Sequence, residues 1–310
     1  MIGIGVVGYG YWGPNLVRNF FRTAGARVVM VCDQRTERRE AVQALYPTVR
    51  TCEEVDALFA DPDVQAVCLA TPVGTHFELA MKALNAGRHV FVEKPLTTSS
   101  EQARTLINEA EGRHLVLMVD HTFVYTAVVR KIKQLIDQRY LGRLYYYDSV
   151  RVNLGLFQPD VNVLWDLAAH DVSIMDYLLG QSPRVVAATG TGVVPGQPES
   201  LAYLSCRFDD GLMAHFHVNW LSPVKIRQTL IGGSDKMVSW DDMQLTEKLR
   251  VYDRGITLNS SPENLYELKV GYRAGDMWAP HVPNVEAPEG FESAVRPFLR
   301  SLEEVTSKGT

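Results

Sequence analysis

The sequence predicts an α/β fold, in which a domain with a doubly wound parallel sheet precedes an α+β domain with an open, mostly antiparallel sheet. Short apolar runs alternate with amphipathic stretches over the first 120 residues, as expected where helices cover both faces of a parallel sheet. A glycine-rich turn follows the first run. Beyond residue 143 a two-residue alternation indicates a sheet with unlike faces. We expect domains at residues 1–120 and 121–310.

In the first domain, the apolar runs predict strands and the amphipathic stretches predict the helices between them. Strands are expected at residues 2–7, 28–32, 64–70, 89–92 and 115–119. The first helix is expected near Pro14, because proline suits a first helical turn. Further helices are expected at residues 35–45, 78–84 and 102–110.

In the second domain, alternating runs predict an antiparallel sheet with few helices. Strands are expected at residues 144–154, 184–191, 201–208, 212–220, 224–231, 236–241 and 248–252. Asp209, Asp210 and Gly211 separate two of these runs and favour a hairpin turn. A helix is expected at residues 166–179, closed by Gly180, and residues 291–305 also have a helical pattern.

The composition argues against several classes of ligand. The chain has 31 Lys and Arg and 36 Asp and Glu, so its formal net charge is −5. This mild acidity removes the attraction on which nucleic-acid binders and polybasic membrane proteins depend. No apolar run approaches the ~20 residues that span a bilayer, and the first strand pattern begins without a signal peptide. We expect a cytoplasmic protein that binds neither nucleic acid nor membrane.

Neither the cysteines nor the histidines form a metal-binding pattern. The four cysteines are Cys32, Cys52, Cys68 and Cys206, and no two have CxxC spacing. His215 and His217 share one face of a predicted strand, but no third ligand with suitable spacing is evident. We interpret these two histidines as part of a polar sheet face or a subunit contact, and expect no metal.

A dinucleotide-binding fingerprint follows the first strand. Gly8 allows a tight turn, Gly10 lets a pyrophosphate approach the backbone, and Gly13 permits close packing of helix and strand. The helix N-terminus then offers amide donors and a positive dipole to phosphates. This context predicts a Rossmann domain whose loop holds a cofactor through Gly8, Gly10, Tyr11, Trp12 and Gly13.

The end of the second predicted strand favours NAD over NADP. Asp33 is placed to accept hydrogen bonds from a ribose 2′-hydroxyl, and its charge repels a 2′-phosphate. Arg35 and Arg38 follow closely, and either can pair with that phosphate, stack on adenine or simply face solvent. We expect Asp33, Gln34 and Arg35 to contact the cofactor, which is NAD with NADP as the alternative.

Three later segments add a family resemblance. They are Thr71-Pro72 with His76, Glu93-Lys94-Pro95, and the sequence Asp166-Leu-Ala-Ala-His170. With the fingerprint, they resemble the Gfo/Idh/MocA oxidoreductases, the glucose–fructose oxidoreductase and inositol dehydrogenase family. The resemblance covers nearly the whole chain and implies hydride exchange between a nicotinamide and a secondary alcohol of a sugar, cyclitol or nucleotide sugar. It also implies cofactor contacts from Thr71, Pro72, His76, Glu93, Lys94 and Pro95.

The residue types in these segments fit such a reaction. Asp166 and His170 are four apart, so on a helix they share one face. A neutral imidazole suits removal of the alcohol proton, and Asp166 can orient that imidazole. Lys94 follows a strand, where its ammonium can bond the substrate oxygen and hold developing negative charge. An ordinary ion pair on a helix is the plainer explanation for Asp166 and His170 taken alone.

Substrate contacts are predicted from three more residues. Tyr125 follows a strand that leads towards the expected cleft, although packing at the domain junction explains it equally well. Arg151 and Asn153 alternate on a strand and suit a polyol or a phosphate. With Lys94, Asp166 and His170 they complete the predicted substrate site.

The expected activity is that of an NAD(P)-dependent sugar dehydrogenase or ketoreductase, with its direction left open. Residues 155–157 and 220–223 resemble members of nucleotide-sugar and aminosugar biosynthesis, which makes oxidation at C3 of a nucleotide-linked hexose the sharpest expectation. Alternatives are a cyclitol dehydrogenase, a reductase of non-sugar carbonyls or imines, and a sensor that binds NAD(P) without turnover.

The family resemblance also bears on assembly and on the last helix. It implies a homodimer or homotetramer formed through the C-terminal sheet. Relatives return to the first domain through a final helix and usually continue beyond the length seen here. We therefore expect either that this helix is absent or that the chain is shortened at its end, and residues 291–305 are the candidate for a terminal helix that returns to the first domain.

Overall fold

The chain folds into two compact units. The computed structural model describes residues 1–155, 160–253, 255–258, 270–273, 276–280 and 289–308. Unit 1 comprises Met1–Tyr125 together with Ala287–Thr310, and unit 2 comprises Thr126–Glu286. Unit 1 therefore extends beyond residue 120 and includes the final segment of the chain.

Unit 1 contains a six-stranded parallel sheet. Its strands are β1 (Ile2–Val7), β2 (Ala26–Cys32), β3 (Arg50–Cys52), β4 (Ala66–Leu69), β5 (His89–Val92) and β6 (Leu117–Val119). Their order is β3-β2-β1-β4-β5-β6, so the direction of strand addition reverses between β1 and β4. Open α/β sheets bind ligands beyond the carboxyl ends of the strands at such a point.

Eight α-helices are described. They are α1 (Gly13–Arg22), α2 (Thr36–Leu45), α3 (Val55–Ala60), α4 (His76–Asn85), α5 (Ser100–Gly112), α6 (Ala127–Asp137), α7 (Ala169–Leu179) and α8 (Glu289–Lys308). Unit 2 contains α6 and α7, and the others belong to unit 1. Among the described residues, no helix has the length and apolar character that crossing a membrane requires.

The apolar strands of unit 1 are buried on both faces, which confirms the predicted doubly wound fold. Ile4 and Val6 of β1 enter one cluster with Leu16 and Phe20 of α1. Val7, the next residue along the strand, enters a second cluster on the other face. That cluster includes Leu58, Ala80, Leu84 and Leu106, which come from α3, α4 and α5.

Among the described helices and strands, β3, α3, α6 and the three strands beyond residue 253 were not predicted. The three residues of β3 are Arg50, Thr51 and Cys52, and they form an edge strand without an apolar run. Helix α3 is only six residues long. Short edge elements bury little apolar surface and therefore leave a weak periodic signal.

A terminal helix is present, so the alternative in which it is absent was wrong. Helix α8 spans 20 residues, and its buried side chains join the core of unit 1. The Phe298 ring lies 6.4 Å from that of Phe20 and 5.2 Å from that of Phe91. The last helix thus completes one apolar face of the parallel sheet.

Unit 2 contains an eight-stranded mixed sheet. Its strands are β7 (Leu144–Leu154), β8 (Val185–Thr191), β9 (Leu201–Arg207), β10 (Met213–Asn219), β11 (Leu221–Gly233), β12 (Met237–Asp241), β13 (Leu249–Tyr252) and β16 (Met277–Trp278). Strands β14 (Gly255–Leu258) and β15 (Val270–Arg273) form a separate two-stranded sheet. The order is β16-β13-β12-β11-β7-β10-β9-β8. Among the described strand pairs of this sheet, only β7 with β10 is parallel, so the predicted mostly antiparallel sheet is confirmed.

In unit 2, the predicted hairpin at Gly211 and the predicted helix end at Gly180 are both present, but the start of that helix differs from the prediction. Gly211 has φ of 88° in the turn between β9 and β10, where the hairpin was predicted. The predicted helix at residues 166–179 begins as a π-helix, Leu164–Ala168, and continues as α7. Gly180 then ends it with a left-handed φ of 61°. A π-turn widens the helix and is often found at functional sites.

We expect Phe298→Ala to lower the free energy of unfolding by ~3–5 kcal/mol, because it leaves a cavity between helices and sheet in the core of unit 1. Guanidinium titration followed by circular dichroism measures this. Arg300→Ala, at an exposed position of the same helix, is the matched control. A loss below ~1 kcal/mol would show that α8 contributes little to the core.

Candidate functional site

The turn after β1 is shaped by glycines that side chains cannot replace. Gly8 has φ of 92°, and a Cβ atom there would lie 2.6 Å from the Ala70 carbonyl oxygen. A Cβ atom on Gly13 would lie 2.1 Å from the Gly8 oxygen. At Gly10, by contrast, the closest group is Nη2 of Arg35 at 3.7 Å. There is therefore no room for a side chain at Gly8 or Gly13, whereas space remains beside Gly10, as binding of a pyrophosphate requires.

Helix α1 begins directly after this turn. Its cap residue, Trp12, has no side-chain oxygen for the amides of the first turn, and Pro14 removes one of those amides. Tyr11 is 79% exposed, and its ring meets the Trp12 ring edge-on at 5.1 Å. A helix start of this kind can offer its remaining amides to phosphate oxygens.

Asp33 ties the end of β2 to the glycine turn. Its Oδ2 accepts a hydrogen bond from the Tyr9 amide at 2.8 Å, and its Oδ1 accepts one from the Arg35 amide at 3.0 Å. The Arg35 guanidinium adds bonds from Nε at 3.1 Å and Nη2 at 3.2 Å. Burial alone would raise the pKa of Asp33, but these hydrogen bonds outweigh it and lower the pKa. The carboxylate is therefore ionised and oriented, whereas the neighbouring Gln34 is exposed.

His76 connects the ends of β4 and β5. Its ring is buried, and the two nitrogens lie 2.9 Å from the carbonyl oxygens of Thr71 and Pro95. The structure thus brings together four residues predicted to contact the cofactor, since Pro72 follows Thr71 directly. Both nitrogens of His76 lie within hydrogen-bond distance of main-chain oxygens, so in this structure the side chain bridges the two loops.

Two acidic side chains lie side by side beyond β5 and β6. The Glu93 amide donates a hydrogen bond to the Leu69 carbonyl oxygen at 2.9 Å, and the Asp120 amide donates one to the Val92 carbonyl oxygen at 2.8 Å. Glu93 is 6% exposed and Asp120 is 1% exposed. Among the described residues, neither oxygen of Asp120 nor Oε1 of Glu93 accepts a hydrogen bond. Asp120 was not among the predicted site residues, although a polar residue directly after a strand was the available signal.

The burial of this pair changes its ionisation. Burial raises the pKa of Glu93 to about 7, although the Lys94 ammonium acts in the opposite direction. Burial and the nearby Glu93 raise the pKa of Asp120 well above its usual range. Burial and the Lys94 charge lower the pKa of His121, which follows Asp120. Each carboxyl therefore keeps its proton to a higher pH than it would in water, and the titrations of the two are coupled.

In unit 2, the predicted proton-transfer residues lie at the junction of the π-helix and α7. Asp166 is in the π-helix, and its Oδ2 accepts a hydrogen bond from Nε1 of Trp220 at 3.0 Å. His170 is the second residue of α7, and its carbonyl oxygen accepts a bond from the Ser173 hydroxyl at 2.7 Å. A buried tryptophan thus fixes the Asp166 carboxylate, a contact that sequence patterns did not predict.

Arg151 has an internal carboxylate partner. Its Nε and Nη2 donate to the two oxygens of Asp171 at 2.8 and 2.9 Å, and both side chains are almost completely buried. Asp171 was left out of the predicted site because it points away from the Asp166 face. This buried pair makes Arg151 a structural cation in unit 2, and we leave it out of the substrate site proposed below.

The remaining predicted substrate residues lie in different elements. Asn153 is half-buried near the end of β7. Tyr125 ends a short 3₁₀ segment, Thr122–Tyr125, and packs against the core of unit 1. Leu156 and Phe157, which contributed to the family resemblance, lie outside the described residues. The surroundings of Asn153 and Tyr125 do not require either side chain to contact substrate, so the binding role of these two residues stays a prediction.

The paired histidines of β10 stack on an aromatic ring. The Tyr203 ring lies 4.7 Å from that of His217 and 5.8 Å from that of His215, in near-parallel planes. Nε2 of His217 lies 2.9 Å from Nδ2 of Asn219. Within the described ranges there is no group of three or more His, Cys, Asp or Glu residues arranged to hold a metal.

Comparisons with known proteins agree with both units. A family model described as an oxidoreductase family with an NAD-binding Rossmann fold matches residues 2–121, and a GFO/IDH/MocA C-terminal domain matches residues 129–239. UDP-N-acetylglucosamine 3-dehydrogenase of Acidithiobacillus ferrooxidans is 32% identical over 255 residues, which cover 81% of this chain and 77% of that protein. Its solved structure covers 98% of this chain and 90% of that one, with 28% identity and a TM-score of 0.76. A scyllo-inositol 2-dehydrogenase (NAD⁺) of Bacillus subtilis is 27% identical over 75% of this chain and 70% of that protein.

The raised pKa of Glu93 predicts a pH-dependent stability. Between its ordinary value of 4.5 and about 7, the folded chain keeps a proton that an unfolded glutamate has released. The free energy of unfolding should therefore fall as pH rises through this window, by up to ~1.4 kcal/mol per pH unit, and level off above it. In Glu93→Gln this component should vanish.

Guanidinium titrations at several pH values from 5 to 8 measure that slope. Glu101→Gln, an exposed change at the start of α5, should keep the wild-type slope. An unchanged slope in Glu93→Gln would mean that Glu93 ionises normally in the folded chain.

Proposed function

Because the chain belongs to the Gfo/Idh/MocA oxidoreductase family, we propose that it transfers a hydride between NAD and a secondary hydroxyl, or the matching ketone, of a sugar-like substrate. The observation that carries the proposal is the bond from the Tyr9 amide to Asp33, which joins the open glycine turn to an ionised carboxylate. When bound, NAD provides the nicotinamide ring that accepts or donates the hydride.

The cofactor residues form two groups in unit 1. The pyrophosphate group is the turn from Gly8 to Gly13, where the space above Gly10 admits a phosphate. The nicotinamide group comprises Thr71, Pro72, His76, Glu93, Lys94 and Pro95, at the carboxyl ends of β4 and β5. In this proposal His76 keeps the second group in place through its two main-chain contacts.

We assign Asp33 to the adenosine ribose, which makes NAD the preferred cofactor. A carboxylate with a lowered pKa accepts bonds from ribose hydroxyls and repels a 2′-phosphate. Arg35, the cation that NADP would need, already bonds Asp33 through its guanidinium. This pairing reduces the positive charge available to a second phosphate.

We assign proton transfer to His170 and charge stabilisation to Lys94. His170 removes the hydroxyl proton of the substrate during oxidation and returns it during reduction. Asp166 positions this histidine, and the bond from Trp220 supports that role because it limits the rotation of the carboxylate. The Lys94 ammonium bonds the reacting oxygen as negative charge develops on it.

For the substrate we favour a nucleotide-linked hexose oxidised at C3. The 32% identity to a UDP-N-acetylglucosamine 3-dehydrogenase, over four-fifths of the chain, supports this choice. A cyclitol is the second candidate, because a scyllo-inositol 2-dehydrogenase is 27% identical over three-quarters of the chain. A sensor that binds NAD without turnover is the alternative outside enzymes.

We further propose a homodimer or homotetramer that forms through the sheet of unit 2. Apolar side chains on its strands are exposed, including Val186 at 57%, Met213 at 54% and Val224 at 61%. Exposed apolar patches of this kind favour association. We place the protein in the cytoplasm, since its four cysteines are free thiols that suit a reducing compartment.

We expect His170→Ala and Lys94→Ala each to lower kcat by ~10²-fold or more, because each removes a group that acts on the reacting oxygen. NADH absorbance measures turnover on a panel of UDP-hexoses, dTDP-hexoses and inositols. The controls are His114→Ala and Lys82→Ala, which alter exposed residues of the same two types. Nearly full kcat in both site variants would contradict the assigned roles, and NADH binding without turnover on any substrate would favour the sensor.

We expect Asp33→Ala to weaken NADH binding by ~10-fold or more, because charged hydrogen bonds to the ribose are lost. NADPH binding should weaken less, so that discrimination between the two cofactors shrinks. Nicotinamide fluorescence titration measures both dissociation constants. Asp56→Ala, an exposed change on α3, should alter neither, and an unchanged NADH affinity in Asp33→Ala would place the ribose elsewhere.

A further inference from the structure

Two cysteine thiols meet at the edge of the parallel sheet in unit 1. Cys32 and Cys52 are the last residues of β2 and β3, and their Cα atoms are direct partners in the ladder. Cys32 belongs to the apolar cluster on one face of the sheet, and Cys52 packs against that cluster. Because paired residues of neighbouring strands project to the same face of the sheet, the two thiols lie side by side.

The two thiols have different environments. Cys32 is almost completely buried, with Sγ 3.2 Å from the Glu53 carbonyl oxygen, whereas Cys52 is half-buried. The adjacent Cys32 thiol lowers the pKa of Cys52, burial opposes this change, and the Arg39 cation adds to the lowering. The adjacent Cys52, followed by burial, raises the pKa of Cys32. Cys52 is thus the more reactive and accessible sulfur, and Cys32 lies behind it.

We propose that Cys32 and Cys52 are a redox-active pair that a hydroperoxide converts to a disulfide, and that this disulfide weakens NAD binding. In the first step the Cys52 thiolate attacks the peroxide oxygen, which gives a sulfenic acid and releases hydroxide or alkoxide. In the second step the Cys32 sulfur attacks the Cys52 sulfur, and its proton leaves with the displaced hydroxide as water. With hydrogen peroxide, two thiols and one oxidant give one disulfide and two waters.

The backbone geometry is compatible with this bond. Neighbouring strands lie about 4.8 Å apart, and disulfides span Cα distances of about 4.4–6.8 Å. A disulfide holds its sulfurs about 2.05 Å apart, so forming the bond draws the ends of the two strands together. Strand β3 has three residues and lies at the sheet edge, so it can move without breaking a second ladder.

A movement of β3 would alter the proposed cofactor site, because main-chain hydrogen bonds connect the two cysteines to it. The Asp33 amide donates to the Cys52 carbonyl oxygen at 3.2 Å, and the Gly8 amide donates to the Cys32 carbonyl oxygen at 2.8 Å. Both the ribose carboxylate and the start of the glycine turn are therefore bonded to the peptides of the two cysteines. This step rests on the function proposed above, because it takes Asp33 as a ligand of the NAD ribose.

The other two cysteines serve as internal references. Cys68 is fully buried in β4, and burial raises the pKa of its thiol. Cys206 is buried in β9 of unit 2, and burial raises the pKa of that thiol also. Since each has a buried, protonated thiol, we expect both to stay reduced while the first pair oxidises.

The test treats the full chain with hydrogen peroxide in slight excess, blocks the remaining thiols with an alkylating reagent and maps the peptides by mass spectrometry. We expect one disulfide, between Cys32 and Cys52, and a rise of at least ~5-fold in the NADH dissociation constant measured by fluorescence. Dithiothreitol should reverse both changes. In Cys52→Ser and Cys32→Ala, peroxide should leave the NADH affinity unchanged, whereas Cys206→Ala should respond like the wild type.

Two results would overturn the proposal. One is a peptide map in which Cys32 and Cys52 remain thiols or are oxidised separately. The other is a complete disulfide between them with an unchanged NADH affinity. If the reduced chain binds no NADH, the proposed function fails instead, and the peptide map still decides whether the pair forms a disulfide.

Discussion

The parallel alignment of the strands in unit 1 is the constraint on which the candidate site depends. In the ladders, Val7 pairs with Cys32 and with Leu69, Leu69 pairs with Val92, and Val92 pairs with Val119. All five strands therefore end at one level, and the residue that follows each strand reaches the same edge of the sheet. These residues are Gly8, Asp33, Ala70, Glu93 and Asp120. One backbone arrangement thus places the glycine turn, the Asp33 carboxylate and the acidic pair in a row.

The carboxyl groups along this edge differ in their ionisation because their burial and hydrogen-bond partners differ. Asp33 receives bonds from two amides and a guanidinium, so its charged form is favoured although it is buried. Glu93 and Asp120 are more deeply buried and have oxygens without such donors, so burial raises their pKa values. Depth of burial and hydrogen-bond donors together therefore set the ionisation of each acid. Lys94 lies next to the acidic pair in sequence, and its charge opposes the rise in the Glu93 pKa.

Features that depend on one continuous segment of the chain could be predicted from the sequence. The glycine turn, β1, β2 and the hairpin at Gly211 depend on local patterns, and the structure has them where expected. Contacts between distant segments could not be predicted in this way. Nothing near Asp166 indicates that Trp220 bonds its carboxylate, and nothing near Arg151 indicates that its partner is Asp171. The thiol contact of Cys32 depends on β3, whose polar residues have no strand pattern.

The position of α8 in the chain affects the order in which the protein can assemble during synthesis. Helix α8 supplies Phe298 to the core of unit 1, yet it follows the whole of unit 2 in sequence. Unit 2 occupies residues 126–286, and a ribosome adds roughly 5–20 residues per second. Unit 1 therefore waits roughly 8–30 s with part of one apolar face of its sheet uncovered. During that interval the exposed face is a surface that chaperones can bind, so the cell's chaperone supply bears directly on the yield of folded protein.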